Sequence, residues 1–290
     1  MIRHPAHAKS LYPIPANQRR QAGYLMREVL LESRDDKQHV YLPDRCIGCG
    51  SCVAVCPKGE LVIGSVGAVA RGLIDKDFIE KKASGACVLC AMCARVCPTG
   101  ALDLRTAGKS EMDESYLSVA VQKTAVGDNC VHCGLCAAVC PRSCIEVEDR
   151  HLAEDGSLKV EGKTLIDLNH CVRCGWCAAV CPVGAISFSK PFAGEFSRDD
   201  KVCQACRTCI HTCPANALFN KEAGPGEIVE KVTHRKEACI YCGACELACP
   251  AAAIKVAKTA IVPEMKGKTA LEKKLSAPAG RPTLTSILMT

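Results

Sequence analysis

The sequence predicts an α+β fold assembled from tandem repeats. A motif of four cysteines, C-x-x-C-x-x-C-x-x-x-C-P, occurs six times in 290 residues and uses 24 of the 25 cysteines. Short alternating apolar segments lie before and after the copies, which is typical of β-strands, and the residues between the third and fourth cysteines fit the first turn of a helix. The repeating unit is therefore a strand, a cysteine loop, a short helix and a second strand.

The six copies are spaced regularly along the chain. Their first cysteines lie 41, 43, 41, 32 and 36 residues apart. Strands are predicted before copies at 39–42, 164–168 and 227–229, and after copies at 61–63, 101–104, 145–147, 186–188, 217–218 and 254–256. The motif cysteines are Cys46, Cys49, Cys52 and Cys56; Cys87, Cys90, Cys93 and Cys97; Cys130, Cys133, Cys136 and Cys140; Cys171, Cys174, Cys177 and Cys181; Cys203, Cys206, Cys209 and Cys213; and Cys239, Cys242, Cys245 and Cys249.

This cysteine spacing predicts iron ligands. In bacterial two-cluster ferredoxins, three closely spaced thiolates bind one 4Fe-4S cube, and the fourth, before proline, binds the neighbouring cube. Disulfide scaffolds of comparable cysteine content are short secreted chains, and structural zinc sites usually show paired C-x-x-C knuckles. We therefore expect all 24 cysteines to be ligands of six 4Fe-4S clusters in a reducing, cytoplasmic setting.

Small residues near the cysteines support a tight loop around each cluster. Glycine or alanine follows the second cysteine in five copies, and such small residues let the backbone approach the cluster closely. In the fifth copy Arg207 takes this place. The proline after each fourth cysteine turns the chain away from the cluster. The five small residues are Gly50, Ala91, Gly134, Gly175 and Gly243.

The six copies predict three tandem two-cluster ferredoxin-like modules, at 39–110, 120–190 and 195–258. An N-terminal extension, 1–38, would carry an amphipathic helix at 18–33, and 259–290 would be an extended tail. Helical character is also expected around 75–82. Sequential pairing of the copies has a rival: the short 32-residue interval and the connection at 190–194 also fit a module of copies four and five nested between three and six.

Composition excludes several classes of protein. Aromatic residues make up only 4 % of the chain, so metal ligation should supply much of the folding free energy. Six clusters, each contributing about −2, would change the formal charge from +6 to about −6, which argues against nucleic acid as a partner. No run approaches 18 apolar residues, so no membrane span is expected.

Several single residues near the motifs have two interpretations. Cys144, the cysteine outside the motifs, fits small-residue packing or a substitute ligand. His132, His170 and His211 fit packing beside the clusters or tuning of their potentials. Trp176 and Tyr241 are expected to shield clusters from water.

The stretch from Cys171 to Lys258 resembles archaeal polyferredoxins, in particular the F subunits of tungsten or molybdenum formylmethanofuran dehydrogenases. The resemblance rests on VRCGWCAAVCPVGAISFSKPFAGEF, CQACRTCIHTCPANALF and ACIYCGACELACPAAAIKV. It implies a chain of 4Fe-4S clusters in a large complex that reduces carbon dioxide to a formyl group on methanofuran, or runs the reverse reaction.

We found no nucleotide-binding glycine run, no nucleophile elbow and no ligand set with an open metal position. The sequence therefore predicts a conductor of low-potential electrons without catalytic residues of its own. Two alternatives stay open: a polyferredoxin linked to hydrogenase or heterodisulfide reductase, and a free soluble electron carrier.

Overall fold

The computed structural model describes residues 27–85, 87–112, 124–154, 160–222, 224–228 and 230–261. Helices in this part of the chain are short, and all except α2 lie inside a cysteine motif. They are α1 (Ser51–Val55), α2 (Val66–Ala70), α3 (Met92–Val96), α4 (Leu135–Val139), α5 (Trp176–Ala179), α6 (Thr208–Thr212) and α7 (Ala244–Ala248).

The motif itself explains why these helices are so short. The fourth cysteine precedes proline, and a residue before proline is driven towards extended backbone. Cys56 shows this effect at the end of α1, with φ −66° and ψ 115°, and Cys97 shows it at the end of α3, with φ −67° and ψ 117°. Each helix is thereby limited to about one turn.

The strands are also short. They are β1 (Val29–Arg34), β2 (Lys37–Tyr41), β3 (Leu61–Ile63), β4 (Ile79–Lys81), β5 (Leu102–Thr106), β6 (Lys109–Ser110), β7 (Ala125–Val126), β8 (Ile145–Leu152), β9 (Val160–Ile166), β10 (Ile186–Ser187), β11 (Phe192–Arg198), β12 (Leu218–Phe219), β13 (Thr233–His234) and β14 (Ile254–Ile261).

One antiparallel pairing scheme occurs three times. The strand that enters an odd-numbered copy pairs with the strand that leaves the next copy: β2 with β5, β7 with β10, and β11 with β14. A hairpin connects the two copies in each case: β3 with β4, β8 with β9, and β12 with β13. Each scheme brings two consecutive cysteine loops together.

The helix predicted at 18–33 is wrong over all of its described part, 27–33. Residues 29–33 lie in β1, which pairs with β2 and shifts register between Leu30 and Glu32; residues 18–26 lie outside the described part. The segment Val-Leu-Leu-Glu-Ser-Arg is too short to distinguish a helical from a strand period, and the open edge of β2 supplies backbone partners. An ion pair of 2.6 Å between Lys81 Nζ and a Glu32 carboxylate oxygen ties β1 to β4.

Three other sequence predictions of local structure differ from the structure. The segment around 75–82 contains β4 and no helix, because Ile79 to Lys81 pair with β3. Residues 227 and 228 lie in no strand, and residue 229 is outside the described part; the hairpin partner of β12 is β13 instead. β14 extends to Ile261, so residues 259–261 of the predicted tail belong to a sheet, and 262–290 lie outside the described residues.

Apolar contacts join loops that are distant in sequence. α2 packs on α6 and α7, and a Cβ at Gly67 would lie only 2.8 Å from Thr208 Cγ2 and 3.0 Å from the Ala248 carbonyl oxygen. Glycine therefore permits this close approach. In the described part of the chain, no helix is long and apolar enough to cross a membrane.

Candidate metal centres

Each cysteine loop contains two residues with left-handed backbone. One is the second residue after the first cysteine, and the other directly follows the second cysteine, where it caps the helix. Successive left-handed and right-handed residues turn backbone N–H groups towards a common concavity that suits anions. The first set is Gly48, Leu89, His132, Arg173, Ala205 and Tyr241; the second is Gly50, Ala91, Gly134, Gly175, Arg207 and Gly243.

Backbone N–H groups donate to cysteine sulfurs at a second fixed position. The amide of the residue four places after the fourth cysteine donates to its Sγ, as from Ala101 to Cys97 at 3.1 Å and from Ala185 to Cys181 at 3.2 Å. Hydrogen bonds to the charged form favour thiolate over thiol, and at a cluster they favour the reduced state.

The cysteines are gathered into groups of four, and each group combines two copies of the motif. A group is numbered here by the copy that supplies its first three cysteines. Four groups line pockets whose empty volumes, open solvent included, are about 470, 310, 390 and 350 Å³. They are group 2 (Cys87, Cys90, Cys93 with Cys56), group 3 (Cys130, Cys133, Cys136 with Cys181), group 4 (Cys171, Cys174, Cys177 with Cys140) and group 6 (Cys239, Cys242, Cys245 with Cys213).

The other two groups are identified by the electrostatic effects of their sulfurs on one another's pKa values. Group 1 comprises Cys46, Cys49, Cys52 and Cys97: burial, with the charges of Cys97 and Cys49 adding to its effect, raises the pKa of Cys46 to about 12. Group 5 comprises Cys203, Cys206, Cys209 and Cys249: burial raises the pKa of Cys209 to about 12, with Cys206 and Cys249 adding to the rise.

These groups combine copy one with two, three with four, and five with six. The nested combination of copy four with five does not occur among them. The fourth cysteine crosses to the partner loop in every group, as the spacing of the motif predicts.

Exposure divides the six groups into two sets. The middle cysteines of groups 2, 3 and 5, which are Cys90, Cys133 and Cys206, are exposed. Those of groups 1, 4 and 6, which are Cys49, Cys174 and Cys242, all belong to one apolar cluster with Ile47, Val172 and Ile240. We call groups 2, 3 and 5 the outer groups and groups 1, 4 and 6 the inner groups.

Strand β2 supplies two neighbours of the cysteines that the sequence did not reveal. His39 Nε2 lies 3.3 Å from Cys93 Sγ, and Tyr41 packs with Cys46 in one apolar cluster. Burial lowers the pKa of His39 to about 4, so its ring is neutral at pH 7. Residues two apart on a strand share a face, which is the only sequence signal that could have linked the pair to the clusters.

Cys144 lies beside the ligands of group 4. Its Sγ is 3.4 Å from Cys140 Sγ, and its thiol lowers the pKa of Cys171 to about 6 and that of Cys140 to about 7 by hydrogen bonding. It is 3 % exposed and packs against Ile145 and Ile186. Both sequence interpretations, small-residue packing and a substitute ligand, are compatible with this position.

The three histidines singled out from the sequence differ in position. His132 donates its backbone N–H to Cys130 Sγ at 3.4 Å, and its Nδ1 lies 2.9 Å from Thr164 Oγ1. His170 is buried, with Nδ1 2.6 Å from an Asp167 carboxylate oxygen. His211 is exposed.

The two aromatic residues lie where groups meet. Trp176 Nε1 donates to the Ala215 carbonyl oxygen at 2.8 Å, and the Arg235 guanidinium lies 4.4 Å from the centre of its ring. Tyr241 packs with Val55 and Phe192. Shielding of clusters by these two side chains stays a prediction.

The donor chemistry fits iron–sulfur clusters. All 25 cysteines are free of disulfides. Within the described residues, no three His, Cys, Asp or Glu side chains converge on a single ion, whereas zinc would gather its thiolates at about 2.3 Å. Four thiolates around a wider cavity, with backbone amides aimed at sulfur, suit a cube of four irons and four sulfides.

These folds and sites define an iron–sulfur electron-transfer protein built from repeated ferredoxin-like units. The 4Fe-4S dicluster domain family matches residues 45–101, 86–144, 129–185 and 202–253, and the chain belongs to this family. Neighbouring matches share copies two and three, so the strand pairing, not the family match, distinguishes which loops combine.

Among solved structures, the chain is similar to a chain of the formate dehydrogenase, heterodisulfide reductase and formylmethanofuran dehydrogenase complex from Methanospirillum hungatei. The two are 30 % identical with a TM-score of 0.70, and the match covers 86 % of this chain and 89 % of that one. No curated protein matches the sequence significantly.

Proposed function

We propose that the chain is a polyferredoxin that carries six 4Fe-4S clusters, one in each cysteine group, and conducts low-potential electrons. The single observation that carries this proposal is the grouping of 24 cysteines into six sets of four, each made of three cysteines of one loop and one of its partner. The 24 motif cysteines are the iron ligands. Each would supply a thiolate, and a 4Fe-4S cluster held by such a group would supply one-electron redox chemistry.

The three strand-pairing schemes support three two-cluster modules. Copies one and two form the first, within 39–110; copies three and four the second, within 120–190; and copies five and six the third, within 195–258. Each sheet fixes two loops face to face, which positions the fourth cysteine of each loop at the other loop's group.

The outer and inner groups support a branched route. Each module has one outer group near the surface and one inner group against the apolar cluster of Ile47, Val172 and Ile240. Electrons enter or leave at Cys90, Cys133 or Cys206 and pass between modules through the inner groups. Cys49 and Cys242, whose charges act on each other, mark the contact between groups 1 and 6.

We further propose that the protein is a cytoplasmic electron-transfer subunit of a formylmethanofuran dehydrogenase complex and has no catalytic site of its own. The support is the likeness to a chain of the Methanospirillum hungatei complex, which includes a formylmethanofuran dehydrogenase. The resemblance of residues 171–258 to that enzyme's F subunits supports the same partner.

A heterodisulfide reductase is the second candidate partner, because the same Methanospirillum hungatei complex includes that enzyme too. A hydrogenase-linked polyferredoxin and a free carrier are further outcomes of the same experiment.

The proposal is tested by anaerobic purification from the source organism, with iron and sulfide analysis and mass spectrometry of bound subunits. About 24 irons per chain together with a tungsten or molybdenum formylmethanofuran dehydrogenase would support both parts. About 24 irons with only heterodisulfide reductase or hydrogenase subunits would support cluster binding but would assign the chain to one of those complexes instead. An iron content of one or two clusters would contradict the polyferredoxin assignment itself.

A further inference from the structure

Arg173 occupies an unusual place for a cation. It lies between Cys171 and Cys174 in the loop of group 4, with a left-handed backbone of φ 57°. Its side chain is only 2 % exposed. The guanidinium crosses to the first module and donates a hydrogen bond to the Pro98 carbonyl oxygen.

The charged groups around Arg173 belong to two different cysteine groups. Arg173 lines the cavity of group 4 beside Cys171, and its hydrogen-bond acceptor, Pro98, directly follows Cys97. Cys171 belongs to group 4 and Cys97 to group 1, so one buried cation is shared between two inner groups. An arginine keeps its charge under all ordinary conditions.

The loop geometry does not require an arginine here. The same position carries glycine, leucine, histidine, alanine and tyrosine in the other five copies, and all six adopt positive φ. A side chain other than glycine is strained in this conformation. A long cationic side chain is also costly to bury, so the charge needs a compensating partner.

Resting on the proposed function above, we propose that Arg173 is a positioning residue that raises the reduction potentials of the clusters in groups 1 and 4 together. A fixed positive charge at low dielectric favours the state with one more negative charge. The clusters bound by these two inner groups would therefore be the first to be reduced. An electron that enters at any outer group comes to rest at the contact between the first and second modules.

Arg45 provides a matched control. It is also partly buried near Cys97, but the charges that support its pKa are first the carboxylates of Asp167 and Asp103 and only then Cys97. Carboxylates as well as a cysteine sulfur act on the charge of Arg45, so its removal should change cluster potentials less.

The test is a redox titration of the purified full-length protein, followed by electron paramagnetic resonance, for wild type, Arg173→Gln, Arg173→Lys and Arg45→Gln. Iron and sulfide are measured on every sample. We expect Arg173→Gln to shift two of six components to more negative potential by at least 59 mV, which is a tenfold change in a one-electron equilibrium. Arg173→Lys and Arg45→Gln should shift them much less.

Several results would overturn the inference. They are equal shifts of all components, a shift in Arg173→Lys as large as in Arg173→Gln, or an equal shift in Arg45→Gln. If Arg173→Gln fails to load clusters, the titration of the wild-type protein is used instead. The inference then requires that two spin-coupled components are reduced before the other four. Six components of one potential would contradict it. A sample with fewer than six clusters would instead contradict the proposed function.

Discussion

At the scale of single residues, the backbone conformation after the second cysteine explains the sequence preference there. Gly50, Gly134, Gly175 and Gly243 adopt positive φ between 69° and 90°, and Ala91 and Arg207 adopt 58° and 62°. The small residues were predicted from close approach to a cluster. The structure adds a second reason, since left-handed backbone is what glycine adopts most readily.

Two of these glycines allow strain and crowding to be separated. A Cβ at Gly134 meets nothing within 4 Å, whereas a Cβ at Gly175 would lie 2.2 Å from the Phe188 ring. We expect Gly134→Ala to cost about 1 kcal/mol from backbone strain and to keep all clusters. Gly175→Ala should cost more and loosen group 4. The rate of loss of visible cluster absorbance on anaerobic heating measures both, and equal rates would contradict the crowding.

Cys144 allows packing and ligation to be compared. Alanine occupies its place after the fourth cysteine in four other copies, at Ala101, Ala185, Ala217 and Ala253. Cys144→Ala should therefore leave the iron content unchanged. Cys181→Ala, which removes a ligand of group 3, should lower it by about four irons. A loss of iron from Cys144→Ala would show that this thiol binds iron in the wild type.

At the scale of elements, the strands after each copy were predictable and several other segments were not. Alternating apolar residues at 61–63, 145–147 and 254–256 predicted β3, β8 and β14, because the side chains of one strand face must be buried against a cysteine loop. β1 and β4 were missed because they do not occupy the repeated position after a fourth cysteine, and three to six residues alone do not define a period. Only the neighbouring strand edge decides their conformation, and that edge comes from distant sequence.

The longest paired strands offer a test of the third sheet. A Cβ at Gly194 in β11 would lie 2.3 Å from the Ala257 carbonyl oxygen and 2.9 Å from Tyr241 Cβ. Gly194→Ala should therefore push β11 away from β14 and destabilise the protein by about 1–3 kcal/mol. Hydrogen exchange of the β14 amides reports the change directly. Ser197→Ala, an exposed substitution in the same strand, is the control, and equal protection in both variants would contradict the close contact.

At the scale of the whole molecule, the cysteine groups are part of the apolar core. Each apolar cluster of the fold has cysteines within it or packed against it, as with Cys46, Cys52 and Cys97 beside Leu61 and Leu102. The low aromatic content predicts that folding depends on metal, which stays a prediction. The contact among three loops around Ile47 was not predictable, because nothing in a local sequence window specifies which modules meet.

Removal of iron should accordingly unfold the chain. Burial raises the pKa of Cys46 and Cys174 to about 12, so without iron these thiols are neutral and their cavities lose both metal and charge. After anaerobic chelation we expect amide protection to fall throughout 37–112 and 124–261. Persistent protection in β11 and β14 of the iron-free chain would show that the sheets fold without metal.

The division into outer and inner groups also determines how the protein ages in air. Oxidation attacks the accessible sulfurs first, so damage begins at Cys90, Cys133 and Cys206. In the proposed route, the clusters at these three groups are also the points of exchange with partners. A chain that had lost them would keep its buried clusters and part of its colour, but it could no longer exchange electrons with a partner. We therefore expect brief exposure to oxygen to abolish electron transfer well before it abolishes the iron signal.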